Sequence, residues 1–166
     1  MYCTVEAFLA DWEQENESTL KVFNTFTDES LNQKVYSGGR TLGRIAWHIV
    51  QTIAEMMNHT GLDVKAPSEE APVPSSASLI AEAYKNAAAS LASELKSKWI
   101  NGILDDEIEV YGTVWTRKLI LVGLIKHEIH HRGQLTILMR QAGLPVPGVY
   151  GPSKEEWEQY GSPTAE

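Results

Sequence analysis

The sequence predicts an all-α protein, a four-helix bundle, and three observations carry that prediction. Apolar residues recur at helical spacing over four long segments. Glycine- and proline-containing breaks separate those segments. The alternation that marks a strand is confined to residues 107–114. A chain of 166 residues is about the size of one compact domain, so we expect a single unit with a C-terminal tail over residues 145–166. Its 43% hydrophobic and 22% charged residues are ordinary globular values.

The first helix is expected from Val5 to near Phe26, with Phe8, Trp12, Leu20 and Phe23 as its apolar stripe. Thr27 and Asp28 suit the cap of a short turn through Leu31, and Ser37-Gly38-Gly39 breaks the chain. Thr41 caps the second helix, whose apolar face is Leu42, Ile45, Ile49, Ile53 and Met56 and whose stop is Gly61. From Leu62 to Ala77, Pro67, Pro72 and Pro74 among serines and acids mark an exposed connection. Antiparallel neighbours need only about 2–8 connecting residues. A longer crossover runs the length of a bundle and leaves the second and third helices parallel. The third helix, Leu79 to Trp99, is alanine-rich and strong in helix propensity. Glu107 to Val114 reads as a short extended excursion. The fourth helix, Thr116 to Ala142, is stopped by Gly143 and Pro145. A final turn, Lys154 to Tyr160, is expected to dock through Trp157.

Charge and composition remove several functions. Fourteen basic against twenty-two acidic residues give a net charge of −8, which repels nucleic acid and anionic lipid. The longest apolar run, Leu119 to Ile125, is too short to span a bilayer, and no signal-peptide pattern is present. The single Cys3 cannot pair within the chain, which fits a reducing cytoplasm. It has no basic neighbours in sequence and no helix N-terminal position to activate it, so it is a poor nucleophile. No phosphate-binding glycine loop exists, because Gly38-Gly39 is followed by Arg40 without a Lys-Ser/Thr pair. Trp12, Trp47, Trp99, Trp115 and Trp157 read as core and interface anchors.

The histidines carry the functional signal. His127-Glu128-Ile129-His130-His131 lies inside the fourth helix, and residues four apart share a face with Cβ atoms roughly 5–6 Å apart. His127 and His131 can therefore serve one metal ion. They continue the apolar line of Ile120, Leu124, Leu135 and Leu138, which should face the interior, whereas His130 is about 100° away. Buried imidazoles need a hydrogen bond or a ligand, and His48, beside Ile45 and Ile49, is the best third ligand. His59 reads as an exposed helix tip. Three histidines leave an open coordination position, the catalytic rather than the structural pattern.

The segments Leu42-Gly43-Arg44-Ile45-Ala46-Trp47-His48 and His127-Glu128-Ile129-His130-His131-Arg132-Gly133-Gln134-Leu135 resemble the DinB/YfiT-like family of metal-dependent enzymes. The helix order and the Val149-Tyr150-Gly151-Pro152 tail extend the resemblance over nearly the whole chain. It implies an up-down-down-up bundle, often a homodimer. It also implies a divalent ion, zinc or nickel, on His48, His127 and His131. Some relatives transfer low-molecular-weight thiols or isomerise through a bound thiol cofactor and many have no assigned reaction, so the resemblance points to a metal-dependent transferase or hydrolase acting on a small molecule; the charge points to no partner in nucleic acid or membrane. The apolar surplus of the fourth helix (Leu121, Val122, Ile125, Ile129) fits the expected homodimer.

Two other functions compete. One is a non-catalytic metal-binding or stress-response domain whose ion only ties two helices together. The other is a zinc peptidase, because His127 to His131 satisfies H-E-x-x-H with Glu128 as base. Gln134 and Ile137 stand where the extended motif needs glycine and histidine, and Glu155, Glu156 and Glu158 are distant as alternative ligands. Glu128 is therefore expected as a solvated acid or an i+4 ion-pair partner of Arg132. Arg132 and Gln134 read equally as supports of the site or as surface. Gly133, costly inside a helix, suggests close approach of another helix.

Overall fold

The computed structural model describes residues 1–159 and Gly161; Tyr160, where the expected final turn ends, lies outside the described residues, as do residues 162–166. The elements are α1 (Val5–Phe23), a 3-10 turn (Glu29–Asn32), α2 (Leu42–Asn58), α3 (Ala77–Lys98), a second 3-10 turn (Asn101–Ile103), β1 (Glu107–Val110), β2 (Thr113–Thr116), α4 (Arg117–Gln141) and α5 (Lys154–Gln159). The four long helices are those the periodicity predicts. α1 ends three residues before Phe26, and α3 begins two residues before Leu79.

Local chemistry sets the ends. Thr4 accepts a hydrogen bond from the Ala7 N–H at 3.1 Å and Thr41 accepts one from Arg44 N–H at 3.0 Å, which satisfies donors that have no helical partner. Gly61, at φ 85°, closes α2 in the left-handed region.

Side-chain pairings fix the topology as up-down-down-up. Val5 N–H donates to Asn101 Oδ1 and the Trp12 indole to Ala88 O, so α1 runs antiparallel to α3. Asp28, at the head of the 3-10 turn that leads to α2, accepts from Ala77 N–H at the start of α3, and Lys65 N–H, in the crossover that follows α2, donates to Ser90 Oγ farther along α3, so α2 and α3 run in the same direction. Arg117 at the start of α4 donates to Thr60 O at the end of α2, which makes that pair antiparallel. The crossover is pinned along α2 by the Trp47 indole, which donates to Ala71 O at 3.0 Å, and by Gln51, which donates to Ser68 O.

The core is one cluster that includes Phe8, Trp12, Phe23, Ile49, Ile53, Tyr84, Leu91 and Leu135. Trp12, Trp47 and Trp99 are buried in it, and Trp115 packs on its edge. The extended excursion is half of a hairpin: β1 pairs antiparallel with β2 through a two-residue turn. Tyr111 and Gly112 both have positive φ, at 56° and 71°, as this tight hairpin turn requires.

Two expectations change and a third is extended. Leu121 is fully buried in its own chain's core, with Ile125 packed against it, so half of the apolar surplus of α4 is absorbed within the bundle. Gly133 has nothing within 4 Å of a would-be Cβ; the crowded glycine of α4 is Gly123, where a Cβ would sit 3.2 Å from the Trp115 ring. The final turn, with Trp157 39% exposed, is also held through polar contacts: Arg140 pairs with Glu155, and the Glu156 carboxylate accepts from Gly148 and Ser153 N–H.

Candidate metal centre

α4 meets α1 and α3 on one side and α2 on another, and its sequence serves both contacts. Its buried stripe comprises Ile120, Leu121, Leu124, Leu135, Leu138 and Met139, and it also takes Glu128 and Arg132. His127 and His131 therefore lie at the margin of the stripe that faces α2, partly buried rather than deep inside it. His48, nearly two turns into α2, meets them there.

The three imidazoles converge. His48 Nε2 and His127 Nε2 are 3.1 Å apart, and so are His127 Nε2 and His131 Nε2. All three ligand atoms lie within 4.8 Å of one another. Metal–nitrogen bonds of about 2.0–2.1 Å place two ligands of one ion roughly 3 Å apart, so the residues present fit a divalent ion. Among the described residues the cluster contains no cysteine and no carboxylate.

Neighbouring groups orient two of the rings. The Gln134 amide oxygen lies 2.8 Å from His131 Nδ1 and can only accept, so Nδ1 carries the proton and Nε2 offers its lone pair. The Thr52 hydroxyl donates to the His48 carbonyl at 2.7 Å, which leaves its oxygen to accept from His48 Nδ1 at 3.4 Å. Gln134 thus supports the site. Thr52 was not anticipated, although its position four residues after His48 on α2 was readable. Burial lowers the pKa of His48 to about 4, helped by His131, Arg40 and Arg44. Burial likewise lowers His127 to about 4, helped by His131 and His48. His131 is lowered for the same reason, against the hydrogen bond it donates to Gln134. At neutral pH all three are neutral, the form that binds metal.

The other candidates lie outside the cluster. His130 is exposed and accepts from Gln134 Nε2 at 3.0 Å. His59 is exposed near the end of α2, 3.6 Å from Glu55 and beside the Tyr111 ring.

Glu128 is neither a solvated acid nor the ion-pair partner of Arg132. Its side chain is 1% exposed and accepts from Thr19 Oγ1 and Tyr84 OH, each at 2.6 Å. Burial raises its pKa despite those donors and Arg132. Arg132, 3% exposed, pairs instead with Glu15 at 2.5 Å, donates to Thr19 Oγ1 at 3.0 Å and also bonds the Tyr150 hydroxyl. The H-E-x-x-H glutamate therefore faces α1 and α3, about one helical step from the histidines.

A four-helix bundle in which one helix offers one histidine and another offers two, all converging, is placed to bind a metal; that is the class of protein the fold and site define. The chain belongs to the DinB family, whose profile matches residues 1–165. It is similar to YrdA of Bacillus subtilis (strain 168), described as uncharacterized, with 47% identity over 161 residues, covering 97% of this chain and 96% of that protein. It is also similar to the crystal structure of a DinB-like protein from Bacillus cereus ATCC 10987, with a TM-score of 0.87 and 45% identity, covering 90% of this chain and all of that one. A second crystal structure, the DinB-like protein YjoA of Bacillus subtilis, shares the fold at a TM-score of 0.65 and 18% identity, over 82% of this chain and 92% of that one.

Proposed function

We propose that His48, His127 and His131 hold one divalent ion, zinc or nickel, and that the chain is a metal-dependent transferase or hydrolase acting on a small molecule. The carrying observation is the convergence of three neutral Nε2 atoms with no carboxylate or thiolate to complete the shell. An ion held there supplies a Lewis acid that lowers the pKa of a thiol or water reactant. The chain's own part is to hold the His48 and His131 rings in one tautomer and to shield the three rings on the core side, leaving access from solvent. Glu128 has no place in this chemistry, because its carboxyl is committed to Thr19 and Tyr84.

The test is elemental analysis of purified protein and variants. Alanine at His48, His127 or His131 is expected to abolish stoichiometric metal, while His130→Ala retains it. Retention in the first three, or loss in the fourth, would refute the ligand set. A thiol-transfer screen with the metal restored then addresses the reaction.

The same proposal includes a homodimer in the cytoplasm. The lone cysteine suits that compartment, and no helix among the described residues is long and apolar enough to cross a membrane. Leu119 and Ile137 stay exposed on α4 and offer apolar surface to a second copy. Light scattering at tens of micromolar, on the order of normal assay concentrations, is expected to give twice the monomer mass; a monomer would count against it.

A further inference from the structure

Val35 and Tyr36, in the segment between the first 3-10 turn and α2, are 57% and 68% exposed. Tyr36 is nevertheless held in place. Its ring rests on Gly38 and Gly39, where a Cβ at either position would come within 3.2 Å of it, and Gly39 N–H donates to Tyr36 O at 2.9 Å. The Ser37-Gly38-Gly39 break is thus a saddle that holds an aromatic ring away from the core. That ring helps line a cavity of about 390 Å³, together with Ile45 of α2, Leu138 of α4, His131 and Gln134. This is within the size range of small-molecule sites, about 300–1,000 Å³.

Arg40 also lines the cavity. Its guanidinium makes no hydrogen bond or ion pair among the described residues, and no acid shares the lining. In a chain of net charge −8, this is a local reversal of sign next to the histidines. The cavity on the other side of the histidines differs. It holds about 130 Å³, includes Glu55 and Glu69 in its walls, and its Arg44 is already engaged with Gln51 at 3.1 Å. Size and charge both favour the Tyr36 side for an organic anion.

We propose that the Tyr36–Arg40 cavity is the substrate pocket of the three-histidine centre and takes a small organic carboxylate. Its apolar body lies between Tyr36, Ile45 and Leu138, its carboxylate pairs with Arg40, and its reacting end is directed to the His131 side. The assignment rests on the histidines being metal ligands, and the experiment separates the two. Cobalt(II)-loaded protein is titrated with 4-(mercaptomethyl)benzoate and with its neutral carboxamide, following the thiolate-to-cobalt absorption band. The carboxylate is expected to bind at least about fivefold more tightly, the scale of a partly desolvated charge pair. Arg40→Ala should abolish that preference, and Arg44→Ala, which removes the same charge on the other side, should keep it. Cobalt uptake with no response to either thiol, equal affinities, a preference that survives Arg40→Ala, or one lost equally in Arg44→Ala would each overturn the pocket and leave the metal centre standing. Failure to take up cobalt would overturn the metal centre and the pocket with it.

Discussion

His127 and Glu128 are consecutive residues with opposite surroundings, and the difference comes from one helical step of about 100°. His127 faces α2 and a second imidazole; Glu128 faces Thr19 and Tyr84. The motif could be read from sequence, but the side to which each residue turns could not, because the apolar line of α4 is broad enough to admit either pair. By sequence His127 and His131 continue that line, whereas in the fold they sit at its edge. Glu128 and Arg132 look like surface residues by type, and only the supply of partners from α1 and α3 makes their burial tolerable. The depressed histidines have a consequence for stability. The folded pKa values of His48 and His127, about 4, lie below the ordinary value of 6.5. The unfolded chain therefore takes up protons that the folded chain refuses. Their contribution is complete above pH 6.5 and is lost as pH falls toward 4. Thermal melts of chelator-treated protein between pH 7 and 4.5 should show this loss, and a His48→Gln/His127→Gln variant should lose less over the same range. Identical slopes would show that these rings do not govern the acid limb.

At the scale of elements, the segment starts, stops and periods were legible because caps and breaks are local chemistry: Thr41, Gly61 and Gly143 each lie at the end they were expected to mark. The hairpin was half legible. β1 alternates, but its turn is Tyr-Gly rather than the Asn-Gly that announces such a loop, and β2 ends against the start of α4 without a break. Close approaches of helices were not legible, since a glycine in a helix does not say what faces it. Gly133 and Gly43 make the point in opposite directions. At Gly133 an added methyl meets nothing within 4 Å, so Gly133→Ala should stabilise by about 0.5–1 kcal/mol through the backbone entropy it saves. At Gly43 the methyl would meet Leu31 Cβ at 3.1 Å and its carbonyl oxygen at 3.2 Å, a backbone atom that yields poorly. Gly43→Ala should therefore destabilise, despite the same propensity gain. Urea midpoints at constant slope decide both; a loss at Gly133 would mean that something covers that face.

For the whole molecule, the long crossover is what gives the site its composition. Because α2 and α3 run in the same direction, α4 returns antiparallel to α2, and the midpoint of α4 comes level with the first half of α2, where His48 stands. The crossover's length suggested this arrangement; the pinning by Trp47 and Gln51 that makes it rigid became visible only in three dimensions. The centre therefore sits at the margin of a core that is complete without it. Phe8, Trp12, Phe23, Ile53, Tyr84 and Leu91 are buried by helix–helix packing that involves none of the three histidines. An ion bound at such a margin adds only its linkage free energy, RT ln(1 + [L]/Kd), about 2.7 kcal/mol at a hundredfold excess over Kd. Removing it should leave the far-UV circular dichroism of the chelator-treated protein nearly unchanged and lower the melting temperature by that increment alone. His127→Ala should give the same spectrum and gain no stability from added metal. If the ion instead tied α2 to α4 as a staple, both samples would lose helicity outright, as small metal-dependent folds do. That outcome would favour the non-catalytic metal-binding domain over an open, reactive centre.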